Sequence, residues 1–204
     1  MSDFNMVLAG VGGQGILLAA EAVGTAAVKD GLNVRVSEIH GMAQRGGSVV
    51  SNVRIGEGAL ASTVMDGDAN LVLGFEPLET ARNLKSASEK TVVIMNTERI
   101  PPVELAMKNR RYPALEEIVA KITVFTHKIV LIEASELAKQ AGSALTLNSV
   151  LLGAAAAIDD FPVKLESMRE SLRELVPQKH VDLNIRAFQL GYAFVKEKKD
   201  QQKY

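Results

Sequence analysis

The sequence predicts an α/β fold, in which a Rossmann-like, doubly wound and mainly parallel sheet is followed by a C-terminal helical segment. Apolar runs of strand length alternate with helical patterns through the first 141 residues, and several runs are too continuously apolar to have one solvated face. A glycine-rich turn joins the first run to the first helix. We expect residues 1–204 to form one domain, with an α/β part at 1–141 and helices at 142–204 packed on it.

Six strands are expected from short runs rich in valine, isoleucine and leucine. They are Met6–Ala9, Val34–Ile39, Val49–Ile55, Leu71–Phe75, Val92–Met95 and Ile129–Ile132. Only "HGMAQRGG" separates the second run from the third, which is too short for a crossover helix. We therefore expect those two strands to be antiparallel or to be joined by a structured loop.

Helices are expected between the strands and throughout the region after Gly142. They are Ile16–Lys29, about Pro77–Ser86, Pro113–Lys121, Ser135–Ala141, Leu147–Asp159, Pro162–Val176 and His180–Lys198. Ser135 is the expected N-cap of its helix, because a serine side chain can accept a hydrogen bond from a free first-turn amide.

The last helix carries apolar residues on two nearly opposite sides. One side has Val181, Ile185, Phe188, Tyr192 and Val195, and the other has Leu183, Ala187, Leu190 and Phe194. Asp182, Arg186 and Gln189 mark one polar edge between them, and Asn184 with Gly191 marks the other. Such a helix is either sandwiched inside its own domain or packed on a second subunit by its outer side. Few residues remain to cover it, which favours the second interpretation and predicts an obligate partner.

The composition excludes several classes of protein. A net charge of -1 and a pI near 6.3 leave no basic excess for nucleic acid or a membrane surface. The chain has no cysteine, which rules out disulfides, thiol nucleophiles and thiolate-held iron–sulfur clusters. No signal peptide and no apolar span are visible, so we expect a soluble cytoplasmic protein.

The turn after the first strand matches the dinucleotide-binding fingerprint. Its glycines would let the backbone approach a pyrophosphate at the helix N-terminus, and Glu38 stands where that fingerprint places an acid for a ribose. The same glycines are explained equally well if the first helix must lie tightly against the sheet. A phosphate site and a packing turn both stay open for Gly10, Gly12, Gly13, Gln14 and Gly15.

Other polar motifs give weaker signals. His127 and His180 flank predicted elements, and the three histidines have no metal-ligand spacing. The stretch "DGDAN", at Asp66–Asn70, is a faint match to the diphosphate and magnesium motif of thiamin enzymes, but a glycine and the later asparagine pair are missing. We reject it as a thiamin site. Arg110 and Arg111, on a proline-rich segment, are either a solvated basic pair or a contact for an anion or partner.

A second signature, "SEIHGMAQRGGSVVSNVRIG", is more distinctive than the glycine turn. Glycine pairs bracket Met42, Gln44 and Arg45, so a soft side chain, an amide and a planar cation share one loop with His40. Such a loop can clamp an anion or dock on a partner, and it can also be an ordinary, well-ordered connection. His40, Gln44 and Arg45 are the candidate catalytic residues.

The motifs together resemble the gamma-type domain of 2-oxoacid:ferredoxin oxidoreductases, over nearly the whole chain and in order. They are "GVGGQG", the signature above, "FEPLE" at Phe75–Glu79, "NT" and "IPP" between Asn96 and Pro102, and "VPQKHVDLNIRAFQLG" near the C-terminus. Within that superfamily the chain is most similar to the beta subunits of indolepyruvate:ferredoxin oxidoreductases. A gamma subunit serving pyruvate or 2-oxoglutarate is the first alternative, and a free-standing nucleotide-binding regulatory module is the second.

The resemblance implies oxidative decarboxylation of an aryl 2-oxoacid such as indolepyruvate, giving an acyl-coenzyme A, carbon dioxide and reduced ferredoxin. It also implies that a large alpha subunit carries the thiamin diphosphate, the magnesium and the iron–sulfur clusters, with coenzyme A as co-substrate. We expect the His40–Ser48 loop to lie near the partner's active site, with Gln44 and Arg45 facing an anionic group. The Gly10–Gly15 turn would then approach a coenzyme A phosphate or serve only packing, and the isolated chain could form a homodimer.

Overall fold

The computed structural model describes residues 3–40, 46–101 and 111–201. All six predicted strands are present, and they form a single sheet in the order β2-β3-β1-β4-β5-β6. Their bounds are β1 Phe4–Val11, β2 Val34–His40, β3 Ser48–Ile55, β4 Leu71–Gly74, β5 Val92–Asn96 and β6 Ile129–Ile132. The predicted α/β class is confirmed.

The sheet is parallel except for one strand. β4 pairs in parallel with β1 and β5, and β5 pairs in parallel with β6. β3 lies between β1 and β2 and is antiparallel to both, which confirms the expectation drawn from the short connection after β2. Because β3 alone is reversed, β2 and β1 point the same way, and their carboxyl ends meet at one edge of the sheet.

Seven α-helices lie in the described residues, close to the predicted ranges. They are α1 Ile16–Lys29, α2 Pro77–Arg82, α3 Leu115–Thr123, α4 Ala134–Ala141, α5 Leu147–Ala156, α6 Leu165–Leu175 and α7 Val181–Gln201. The prediction for Ser135 is wrong: Glu133 is the N-cap of α4, and the Ser135 hydroxyl in the first turn donates to the Glu98 carboxylate instead. None of these helices combines the length and the apolar character that a bilayer crossing needs.

Two apolar cores lie on opposite faces of the sheet. The larger includes α1 and the C-terminal helices, and the smaller lies under α2 and α3. β1 serves both, because Met6 and Leu8 face the larger core while Val7 faces the smaller one. The helix after β1 and the helix after β4 therefore leave neighbouring strands toward opposite faces. A crevice at the carboxyl ends of such strands is where open α/β sheets bind ligands.

The last helix, α7, has one buried face rather than two separate ones. Ala187 and Phe188, predicted for opposite sides, are both fully buried in the chain's own core. Gly191, predicted to mark a polar edge, lies at the centre of that face: a Cβ atom there would come within 1.8 Å of the Val150 carbonyl oxygen on α5. Asn184, also assigned to a polar edge, is buried and accepts a hydrogen bond from the Ser149 hydroxyl at 2.6 Å.

The two-sided interpretation of α7 is therefore wrong. Backbone approach at Gly153 and Gly191 brings α5 and α7 so close that the apolar flanks of α7 are partly covered within the domain. The exposed stripe is polar or small, at Asp182, Arg186, Gln189, Ala193 and Glu197. This helix gives no support to the prediction of a partner, which must rest on other observations.

Candidate functional site

The backbone of the glycine turn packs against the side chain of Gln14, which belongs to the same turn. The Gln14 Oε1 atom accepts a hydrogen bond from Val11 N at 2.7 Å, and its Nε2 atom donates to the Phe75 carbonyl oxygen at 2.9 Å. The amide therefore bridges the ends of β1 and β4. A Cβ atom on Gly10 would lie 2.6 Å from both Gln14 Oε1 and Phe75 Cβ. Gly10 is a glycine because this bridge leaves no room for a side chain.

The other end of the turn packs against α5. Gly15, the N-cap of α1, has a φ of 76°, and a Cβ atom there would lie 2.8 Å from Asn148 Nδ2. Gly13 differs, since it has a φ of 105° and nothing lies within 4 Å of its Cβ position. Gly10 and Gly15 thus meet packing requirements, whereas Gly13 has open space at its Cβ position.

The second signature returns to the sheet directly beside the glycine turn. Gly12 N donates to the Gly47 carbonyl oxygen at 2.8 Å, and Gly46 N donates to the Gly12 carbonyl oxygen at 3.3 Å. The next residue, Ser48, donates from its hydroxyl to Glu79 Oε2 at 2.6 Å. The structure therefore brings together the two motifs that the sequence analysis treated separately.

Two of the predicted catalytic residues, Gln44 and Arg45, lie outside the described residues. His40 is described only as the backbone residue that ends β2, opposite Val49 in the ladder. Gly46 and Gly47 place the far end of the same loop at the edge of the sheet where the glycine turn lies. The loop thus starts and ends at that carboxyl edge.

Two buried glutamates at the start of α2 hold this edge together, and the sequence alone predicted a role for neither. Glu76 and Glu79 are both fully buried. Glu76 N-caps α2, because its Oε2 atom accepts a hydrogen bond from Glu79 N at 2.9 Å. Glu79 accepts from Ser48 and, at 2.6 Å, from Arg82. Their spacing in the sequence could have revealed them, because the two acids stand three residues apart at a predicted junction between a strand and a helix.

The second oxygen of Glu76 receives both ends of the proline-rich segment. Glu76 Oε1 accepts hydrogen bonds from the Tyr112 hydroxyl and, at 3.3 Å, from Ile100 N. Burial raises the pKa of the Glu76 carboxyl above its usual range, because the loss of hydration outweighs these hydrogen bonds. Burial and the bond to Glu76 also raise the pKa of Tyr112.

A cleft of about 340 Å³ opens at the N-terminus of α1. Gly13, Gly15, Asn148, Glu98 and Lys139 are among the residues that line it, and Asn148 Nδ2 lies 2.8 Å from the Cβ position of Gly15. Asn148 is 4% exposed, and its Oδ1 accepts from Ser149 N at 2.9 Å. Within the described part of the chain, its Nδ2 has no acceptor. This volume lies near the lower end of the range for small-molecule sites, so the cleft has room for a phosphate-bearing group.

The cleft offers hydrogen-bond donors, but it is not uniformly basic. The first-turn amides of α1 have no partners within the helix, and they point toward the N-terminal end. Lys139 pairs with Glu136 at 2.7 Å. Glu98, bonded to Ser135, adds an acid that opposes an anion. The arrangement can therefore hold an anion by amide donors at one point and not by a basic pocket.

Glu38 does not reach this cleft. β3 lies between β1 and β2, so Glu38 is two strands from the glycine turn and lines a different groove, between α1 and β2. The expectation that it serves a ribose beside the turn is wrong, because the fingerprint assumes that the second strand is the neighbour of the first.

The other polar residues that the sequence singled out, where the structure describes them, lie at the surface or in structural hydrogen bonds. His127 and His180 are exposed, and no group of metal-binding side chains occurs in the part of the chain that the structure describes. Asn70 accepts a hydrogen bond from Asn5 N at 2.7 Å, so the rejected "DGDAN" stretch closes a loop onto β1. Arg111 is exposed and pairs with Glu117 at 2.5 Å, and Arg110 lies outside the described residues.

Comparison with known proteins identifies the family. The family model described as pyruvate ferredoxin/flavodoxin oxidoreductase matches residues 5–194. The chain belongs to this family. A family member named indolepyruvate oxidoreductase subunit IorB, from Methanothermobacter thermautotrophicus, is 46% identical over 96% of this chain and 99% of its own length.

Two further proteins share less sequence with this chain. The common subunit gamma of pyruvate/ketoisovalerate oxidoreductases from Thermococcus kodakarensis is 28% identical over 81% of this chain and 82% of its own length. Among solved structures, the pyruvate oxidoreductase subunit PORC from Thermotoga maritima superposes with a TM-score of 0.71 at 22% identity. It covers 95% of this chain and 97% of that one, which establishes a shared fold.

Proposed function

We propose that this chain is the small subunit of an indolepyruvate:ferredoxin oxidoreductase. The supporting observation is the end-to-end identity of 46% with an indolepyruvate oxidoreductase subunit, against 28% with a subunit of pyruvate/ketoisovalerate enzymes. The complex would cleave the carboxylate of an aryl 2-oxoacid as carbon dioxide and transfer the acyl group to the coenzyme A sulfur. The electrons released by oxidation of the acyl carbon would pass to ferredoxin.

The redox chemistry would be supplied by a large alpha subunit. This chain has no cysteine for an iron–sulfur cluster, and its only match to a thiamin motif closes a loop at Asn70. We assign thiamin diphosphate, magnesium and the clusters to that partner. The contribution of this chain is then to bind, to orient and to enclose the reacting groups.

Two parts of the carboxyl edge would meet the partner's active site. The cleft at α1 would receive a phosphate of coenzyme A, with Gly13 N and Asn148 Nδ2 as donors. The loop after His40 would direct Gln44 and Arg45 to an anionic group of substrate, cofactor or coenzyme A. Arg45→Ala should lower turnover of the assembled complex and leave subunit association intact. Normal kinetics in that variant would discard the role of the loop.

The substrate assignment is tested with the whole complex. The tagged chain is co-expressed with its large subunit, purified and assayed with indolepyruvate, phenylpyruvate, pyruvate and 2-oxoglutarate. We expect the highest kcat/KM with indolepyruvate or phenylpyruvate. A preference for pyruvate or 2-oxoglutarate would instead make this chain a gamma subunit of those enzymes.

A further inference from the structure

The outer edge of β2 presents unpaired backbone groups in a defined register. β2 is the first strand of the sheet, and β3 is its one neighbour among the described strands. Gly56 N donates to the Asn33 carbonyl oxygen at 2.9 Å, just beyond the pair Val34 and Ile55. Because bonded and non-bonded pairs alternate in an antiparallel ladder, odd-numbered residues of β2 bond to β3. Val34, Val36 and Glu38 therefore direct their N–H and C=O groups outward.

The same residues form one wall of a groove. Their side chains face α1, as the 3.1 Å approach of Val36 Cγ2 to the Cβ position of Gly24 shows. The groove between α1 and β2 is floored by Gly24 and lined by Val28 and Val36, which remain 64% and 38% exposed. An added strand would pair with the backbone of β2 and set alternate side chains into this groove.

The rim of the groove is acidic. Glu21 on α1 and Glu38 on β2 are exposed, and neither has an ion-pair partner within the described ranges. The nearby cation, Lys29, is already engaged by Glu174 at 2.6 Å and by Glu170 at 3.6 Å. A basic side chain between Glu21 and Glu38 would complement this rim, so charge specifies the kind of occupant.

A second copy of this chain fits the groove poorly. Two β2 edges paired about a two-fold axis would join their grooves and bring both copies of Glu21 and Glu38 together. Four carboxylates would then share one groove without a free cation from the described residues. Like charges across an interface suppress association, so a different chain is the better partner.

We propose that the outer edge of β2 is a docking site for an extended, basic strand of a different polypeptide. This inference rests on the proposed function, because the large subunit is the partner that it would recruit. The strand adds to the sheet beside β2, places an apolar side chain on Val28 and Val36, and sets a lysine or arginine between Glu21 and Glu38.

Hydrogen exchange on this chain, alone and in the complex with its large subunit, tests the register directly. The amides of Val36 and Glu38 should slow at least about tenfold on complex formation. Those of Arg35 and Ser37 bond to β3 in both states, so they should change little and serve as internal controls. Protection of Val36 and Glu38 in the free chain, with a dimer in sedimentation, would show that a second copy occupies the edge and would overturn the proposal.

Variants test the backbone and the charges separately. Val36→Pro removes an outward N–H without breaking the hydrogen-bond ladder between β2 and β3. Glu21→Lys with Glu38→Lys reverses the charge of the groove rim. Each should weaken association by about tenfold, and the effect of the charge reversal should fade in high salt. The matched control, Glu89→Lys with Glu116→Lys, reverses two exposed acids elsewhere and should not change affinity.

The outcomes separate this inference from the proposed function. A complex that forms while the Val36 and Glu38 amides exchange at their free rates overturns the docking site and leaves the function standing. If the charge reversal and its control weaken binding equally, the proposed contact is also wrong. Failure of any complex to form contradicts the proposed function and this inference together.

Discussion

The Tyr112 hydroxyl donates a hydrogen bond to the buried Glu76 carboxylate, at the oxygen that also receives Ile100 N. Both described ends of the proline-rich segment are therefore fixed to one side chain, that of the N-cap residue of α2. Glu79, one turn further along, fixes the end of the other loop through Ser48. A six-residue helix thus positions both connections at the carboxyl edge.

Tyr112→Phe should destabilise the fold. The change removes a donor from the fully buried Glu76 carboxylate and the acceptor of Leu78 N, which lies 3.2 Å from the hydroxyl oxygen, and it leaves the ring in place. A lost partner of a buried polar group costs about 1–3 kcal/mol. Urea unfolding of the variant and the parent at pH 7 measures the difference. Tyr192→Phe is the control, because that half-buried tyrosine has no such bond to Glu76. Equal losses in both variants would show that the hydrogen bonds of the Tyr112 hydroxyl contribute nothing specific.

The free energy of unfolding should decrease as the pH rises, over a range set by the pKa of Glu76. The raised pKa means that the folded state holds this proton more tightly than the unfolded chain does. Its contribution is full below the ordinary glutamate value of 4.5 and is lost as the pH rises through the raised value. Urea unfolding from pH 4 upward, compared with Glu76→Gln, isolates this slope. A parent and variant with parallel pH profiles would exclude Glu76 as its source.

The two glycines Gly10 and Gly13 should respond differently to alanine. Gly10→Ala places a Cβ atom 2.6 Å from Phe75 Cβ, so overpacking should cost about 1–3 kcal/mol or more. Gly13→Ala meets no neighbour and carries the backbone strain of its positive φ, of order 1 kcal/mol. Thermal unfolding of both variants makes the comparison. A milder effect at Gly10 than at Gly13 would contradict the packing described for Gln14.

A change at Asn148 should alter the KM for coenzyme A and leave the KM for the 2-oxoacid unchanged. Asn148→Asp keeps the acceptor for Ser149 N but places a negative charge in the lining of the cleft. We expect the KM for coenzyme A to rise by about tenfold, because a donor to an anion is replaced by a like charge. The KM for the 2-oxoacid in the same complex is the control. If both constants change together, the cleft does not hold the phosphate.

The sequence was sufficient to locate the strands and helices, because apolar periodicity determines them. The short connection after β2 limited the third strand to an antiparallel pairing or a structured loop, and the structure shows the antiparallel pairing. It could not place Asn184 or Glu76, since whether a polar residue is buried depends on partners distant in the chain. Asn184 finds Ser149, and Glu76 finds Tyr112. Glu38 was misplaced for a topological reason, because pattern alone does not reveal that β3 inserts beside β1.

The glycine turn shows how far a motif can be interpreted. Its spacing suits a phosphate, yet Gly10 and Gly15 are accounted for by contacts with Gln14 and Asn148. The sequence motif does not distinguish a glycine that a ligand requires from one that a neighbouring side chain requires, whereas the contacts in the structure do. The phosphate proposal consequently depends on Gly13 and Asn148 rather than on the whole motif.

We expect this chain to depend on its large subunit for activity. Indolepyruvate-dependent reduction of ferredoxin, with coenzyme A present, measures this dependence for the purified 204-residue chain alone, for the large subunit alone and for the two combined. We expect turnover only when the two chains are combined. Turnover by this chain alone would show that it does not need the cofactors assigned to the large subunit.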